Sequence, residues 1–120
     1  MPKNTVLIGL ERLISDVSVA RNWGKIGLLT NPSGVTRDLT PAAVALLQSG
    51  LHVVQLYGPE HGVDGSGAPG EAPELLTDPA TQLPTTVLYD LLAAQMQERL
   101  QGIDTLLVDL QDVGLRFYTY

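Results

Sequence analysis

Three short apolar runs punctuate the chain, at residues 25–30 (KIGLLT), 51–57 (LHVVQLY) and 105–110 (TLLVDL), and each opens directly into a polar segment that carries glycine. Runs of this length bounded by turn residues read as buried strands. Between the first two, Thr40 is placed to cap a helix, Pro41 suits its first turn, an apolar body follows, and Gly50 stands where a C-terminal glycine belongs. Ahead of the third, residues 84–88 read as a short strand, followed by a helix capped by Asp90, with Leu92, Met96 and Leu100 on one face and Gly102 as its stop. Before the first strand, Leu10, Leu13, Ile14 and Val17 recur at i, i+3, i+4 and i+7, which predicts an amphipathic helix over residues 9–20. Strand, helix, strand, helix, strand builds a parallel sheet through right-handed crossovers. The expected fold class is therefore α/β, an open Rossmann-like parallel sheet with flanking helices.

With 120 residues, 44% of them hydrophobic, the chain can bury one modest core and is read as one domain at most. The absence of cysteine excludes disulfides and thiolate metal sites. A net charge of −6 with seven scattered basic residues argues against a nucleic-acid or anionic-membrane partner, and acidity of this size is ordinary for solubility. No apolar run approaches the roughly 20 residues that span a bilayer. Residues 6–10 are too short for a signal-peptide core and are followed by Glu11, so the expected location is cytoplasmic, with secretion the alternative. His52, read as lying in the second strand, and His61 stand nine residues apart without an HxH or HExxH pattern, so no metal is expected. The stretch 65–70 (GSGAPG) fits GxGxxG by letter, but it starts eight residues after Tyr57 and contains Pro69. A dinucleotide fingerprint follows its strand directly and opens a helix, so no cofactor is expected.

In open parallel sheets ligands bind beyond the carboxyl ends of the strands. Here the segments in that position are 30–34 (TNPSG), 58–62 (GPEHG) and 109–114 (DLQDVG), which converge on one rim if the strands are parallel. The connection from Gly58 to Pro84 is long, holds five of the eight prolines, and reads as a structureless functional loop. Taken together, residues 27–34 (GLLTNPSG), 59–62 (PEHG) and 109–120 (DLQDVGLRFYTY) resemble the exo-β-N-acetylmuramidase family, once known only as a domain of unknown function, in order and spacing from about Leu10 onward. Tyr57-Gly58 stands where the family usually has Phe-Ser. The resemblance implies a Rossmann-like catalytic domain followed by a smaller C-terminal domain. It also implies release of N-acetylmuramic acid from the non-reducing ends of peptidoglycan fragments. On that reading residues 1–120 form the N-terminal part of the catalytic domain, the C-terminal domain is absent from the chain, and this piece alone is inactive.

Glu60 is the expected catalytic residue. A carboxyl that protonates a glycosidic oxygen must hold its proton, which requires partial burial or a nearby negative charge, and the place between Pro59 and His61 at a strand end suits this. The plain alternative is a glutamate exposed in a turn. His61 either orients Glu60, binds a sugar hydroxyl, or packs its own loop. Asp109 and Asp112 are candidates for a second carboxylate, or for caps of the loop that follows the strand. Asn31 and Gln111 either hydrogen-bond the sugar or stabilise their own turns. Arg116 is suited to the lactyl carboxylate of muramic acid through a bidentate contact, or folds onto Asp112. The substrate is thus expected to be a small sugar or muropeptide. The competing function is a non-catalytic α/β module that binds a nucleotide or sugar.

Overall fold

The computed structural model describes residues 6–68 and 76–115. Five strands form one sheet: β1 (Ile26–Thr30), β2 (Val53–Gly58), β3 (Leu76–Thr77), β4 (Pro84–Val87) and β5 (Thr105–Asp109), in the order β3-β4-β2-β1-β5. β1 pairs in parallel with β2 on one side and β5 on the other, and β2 pairs in parallel with β4. The three strands foreseen from the apolar runs are therefore parallel neighbours around β1. β3 runs antiparallel at the edge against β4. It lies in the stretch expected to lack structure, because a two-residue strand carries no periodicity to read. Without β3, the order of the remaining four strands by chain position is 3-2-1-4, the arrangement of a Rossmann half, and its switch point falls between β1 and β5.

The core lies on one face of this sheet. β1 contributes Ile26 and Leu28, β2 contributes Leu56, and helix α2 (Ala42–Gln48) lays Ala42, Ala43 and Leu46 over them. Helix α1 (Gly9–Ser15) adds Leu10. Leu28, Leu46 and Leu56 are fully buried, and burial of each such side chain is worth about 1.5–3 kcal/mol. On the other face, a Cβ on Gly27 would lie 2.5 Å from the Tyr57 ring and 2.7 Å from Ile103, so glycine is what lets Tyr57 lie across β1. The Tyr57 hydroxyl donates to the Arg99 carbonyl at 2.8 Å, at the end of helix α3 (Ala93–Arg99). Arg99 in turn donates to Thr86 Oγ1 at 2.9 Å and to the Val87 carbonyl. α3 is thus tied to the sheet by polar contacts and buries none of its residues.

Helix boundaries differ from expectation in three places. The helix foreseen over 9–20 breaks at Asp16, whose side chain accepts from Ser18 N at 3.1 Å and starts a separate 3-10 turn at Val17–Ala20. Local side-chain bonds of this kind compete with the helical ladder. Thr40 does not cap α2. Its N–H goes to Thr36 Oγ1 at 3.1 Å and its carbonyl accepts from Thr36 N at 2.9 Å, leaving extended Pro41 at the N-cap without a side-chain bond. Nor does Asp90 cap α3. It adopts a left-handed φ of 49°, and the helix starts after Leu92, whose N–H is received by Gln95 Oε1 at 2.9 Å. Leu92 is consequently exposed rather than on a core face. Gly50 (φ 87°) and Gly102 (φ 85°) do stop their helices. His52 is exposed just ahead of β2 instead of inside it, and its carbonyl accepts from Ile26 N at 2.9 Å.

Candidate active site

Because β1, β2 and β5 are parallel, residues 30–34, 58–62 and 109–114 all leave the sheet at its carboxyl rim. The β1 loop is the centre of that rim. Asn31 Oδ1 accepts from Ser33 N at 3.1 Å and from Ser33 Oγ at 2.6 Å, and the Asn31 carbonyl accepts from Gly34 N at 2.9 Å, so the loop is a self-closed turn. Asn31 therefore spends its side-chain oxygen on its own turn and keeps its amide nitrogen. Gln111 Nε2 reaches the Ser33 carbonyl at 3.4 Å, linking the β5 loop to the β1 loop. On the other side, Pro32 lies against Gly65 of the β2 loop, where an added Cβ would sit 3.1 Å from its ring. Asn31, Pro32, Gly34, Val63, Asp64 and Asp78 line a cavity of about 270 Å³ between these two loops.

The segment after β2 folds tightly back on itself. Gly62 N donates to the Pro59 carbonyl at 2.8 Å, Gly62 has a φ of 81°, and a Cβ on Gly58 would lie 2.2 Å from the Gly62 backbone. Only glycine at position 58 allows this close return. The turn presents Glu60 and His61 side by side, with Glu60 Oε2 3.9 Å from His61 Nε2 and the Glu60 side chain 22% exposed. His61 Nδ1 lies 2.9 Å from the Gly67 carbonyl, while Gly67 N donates to the His61 carbonyl at 2.9 Å. A carbonyl only accepts, so Nδ1 carries the hydrogen and Nε2 is left facing Glu60. His61, and not Glu60, lines a cavity of about 80 Å³ with Asp64 and Thr86. Asp64 accepts from Ser66 N and Oγ, which hold its carboxyl below the ordinary range.

The two aspartates of the β5 segment separate cleanly. Asp112 Oδ1 accepts from Gly114 N at 2.7 Å, which makes it the cap of its own exposed turn. Asp109 caps no turn among the described residues. Its Oδ2 is shut off from solvent without a hydrogen-bond partner among the described residues, although the residue as a whole is only partly buried, and burial raises its pKa. Its register partner across the sheet is Thr30, a polar residue only 3% exposed. Thr30 was not singled out from the sequence, and the available signal was parity, since it continues the buried alternation of Ile26 and Leu28. The structure thus joins Asn31 with Gln111 through the β1 turn and Glu60 with His61 in the β2 turn. Arg116 lies outside the described residues, as do residues 69–70 of the GxGxxG stretch, while residues 65–68 are not helical.

Residues 26–120 match the family model described as the N-terminal part of exo-β-N-acetylmuramidase NamZ. The peptidoglycan β-N-acetylmuramidase NamZ of Bacillus subtilis (strain 168) is 36% identical over 119 residues, covering 98% of this chain and 29% of that protein. Two crystal structures of DUF1343 family proteins from Bacteroides fragilis NCTC 9343 share the fold. One has a TM-score of 0.74 at 34% identity over 93% of this chain and 28% of its own. The other has a TM-score of 0.68 at 32% identity over 98% and 29%. The chain spans less than a third of the length of each of these relatives.

Proposed function

The chain belongs to the exo-β-N-acetylmuramidase NamZ family, and from that premise we propose that the protein is a glycoside hydrolase releasing N-acetylmuramic acid from the non-reducing ends of peptidoglycan fragments. The observation that carries this reading is the Glu60–His61 pair, held on a glycine-closed turn at the carboxyl end of β2. Glu60 protonates the departing glycosidic oxygen. His61, its Nδ1–H tied to Gly67, holds Nε2 3.9 Å from the Glu60 carboxyl, beside it but beyond direct hydrogen-bond distance, where it orients Glu60 once substrate draws the pair together. Asn31, through its amide nitrogen, and Gln111 and Asp112 on the adjoining loop supply contacts to sugar hydroxyls and amides. The Arg116 guanidinium suits the lactyl carboxylate, because its planar fork pairs carboxylates bidentately.

General acid catalysis contributes about 10²–10⁴-fold, so Glu60→Gln in the full-length protein should lower turnover of natural fragments by that order. An activated aryl glycoside of N-acetylmuramic acid needs less protonation and should lose less. Binding of free N-acetylmuramic acid should survive, since the substitution keeps volume and polarity. Near-normal turnover of natural fragments by Glu60→Gln would move the acid role to another carboxyl. Sugar binding without turnover by the unaltered protein would make it a non-catalytic sugar-binding module.

A further inference from the structure

The cavity of about 270 Å³ between the β1 and β2 loops is open to solvent and mostly apolar inside. Pro32, Pro41 and Ala80 line it and are themselves exposed, whereas Ala42 and Leu56 close its floor in the core. A water molecule claims about 30 Å³, so the space takes a ligand group of several heavy atoms. Its polar lining is narrow in kind. Asn31 spends Oδ1 on Ser33, so its side chain has the Nδ2–H donors to offer. Asp64 takes its two Ser66 bonds on Oδ1, and Asp78 takes its two Thr81 bonds on Oδ2, which leaves the second oxygen of each outside those turns. Both aspartates also line the cavity of about 80 Å³ that His61 borders, so they stand between the Asn31 turn and the Glu60–His61 pair.

A group suited to this lining gives a hydrogen to a carboxylate, accepts one from Asn31, and fills the apolar walls. A carboxylate is repelled by two like charges, and an ammonium ion has no acceptor for Asn31. A hydroxyl can serve both polar partners and leaves the walls around Pro32 and Val63 unfilled. An acetamido group meets all three demands, with one N–H, one carbonyl and one methyl.

We infer that this cavity is the acetamido pocket of the sugar site, in which Asp64 accepts the N–H, Asn31 Nδ2 donates to the carbonyl, and the methyl lies against Pro32 and Val63. The choice of sugar rests on the muramidase reading, and the test keeps the two apart. Calorimetric titration of the full-length protein compares the unaltered form with Asp64→Asn. Asparagine keeps an oxygen for the two Ser66 bonds and puts an NH₂ where the second carboxylate oxygen stood, so the turn survives and the acceptor facing the ligand is lost. Affinity for N-acetylmuramic acid should fall about tenfold, the usual loss for one hydrogen bond to a charged acceptor. N-Acetylglucosamine, which has the acetamido group and no lactyl ether, should lose the same factor. The 2-deoxy analogue of muramic acid keeps the lactyl ether and has no nitrogen, so its affinity should stay within about threefold; it also shows that the variant is folded. An equal loss for the deoxy analogue would overturn the pocket by placing Asp64 against another part of the sugar. Unchanged affinity for the acetylated sugars in Asp64→Asn would overturn it too, as would failure of the unaltered protein to bind either of them. A tenfold loss for N-acetylglucosamine in a protein whose unaltered form does not turn over muramic acid-terminated fragments would sink the muramidase reading and leave the pocket standing.

Discussion

A carboxyl oxygen buried without a hydrogen-bond partner among the described residues gives Asp109 an energetic signature that can be measured in the ligand-free protein. Its folded-state pKa is raised above the ordinary 3.8 by desolvation. From 3.8 up to that raised value the folded protein binds the proton more tightly than the unfolded chain does, so stability falls as pH climbs through the interval and is flat above it. Arg12 and Asp16 line one cavity with Asp109, and Asp16 is held below its ordinary value by its Ser18 hydrogen bonds, so it is ionised across the interval. Asp109→Asn never ionises. Its melting temperature should pull ahead of the parent's as pH rises from about 4, reaching a few degrees at neutral pH, and calorimetric scans across that range check it. A constant offset at every pH would assign the effect to packing instead. At this scale the sequence named both aspartates of the β5 segment and offered no way to rank them. What ranks them is strand parity, which sets Asp109 beside Thr30, and the turn at Gly114, which occupies Asp112. The tautomer of His61 was equally unreadable, because it depends on a loop closing across six residues onto the Gly67 carbonyl.

At the scale of elements, helices α2 and α3 are held to the sheet by different forces, and truncations should show it. Leu46 of α2 is fully buried against β1 and β2, so Leu46→Ala leaves a cavity where the sheet is best packed. Losses of about 2–5 kcal/mol are usual for such changes, read as a lower denaturant midpoint. Met96 of α3 is not buried, and Met96→Ala should cost under about 1 kcal/mol. If the two variants unfolded alike, α3 would have to be packed by something beyond the described residues. The same contrast explains what was legible. Strands β1, β2 and β5 and the body of α2 are written in apolar runs, because their burial is what forms them. The caps at Thr40 and Asp90 misled because each residue is engaged or bent by its immediate loop, Thr40 through Thr36 and Asp90 through its left-handed φ. Asp16 split the first helix for the same kind of local reason.

For the molecule as a whole, the informative surface is the face of β5 opposite α1 and α2. Parallel sheets are normally covered on both faces, yet Leu106 and Val108 are 37% and 55% exposed, and no described element lies over them. Contiguous exposed apolar surface marks a place where something docks. The relatives matched by this chain are more than three times its length, which leaves ample chain in proteins of this family to provide cover. Residues 1–120 expressed alone should therefore self-associate through this face, visible as concentration-dependent species in sedimentation velocity. Leu106→Lys with Val108→Lys should suppress that association, because two charges on an edge strand oppose pairing and burial. In the full-length protein the same pair should instead lower stability, since burying an unpaired charge costs several kcal/mol. A 120-residue chain that stays monomeric, together with a full-length protein indifferent to both lysines, would show that this face of β5 is solvent-exposed in the full-length protein.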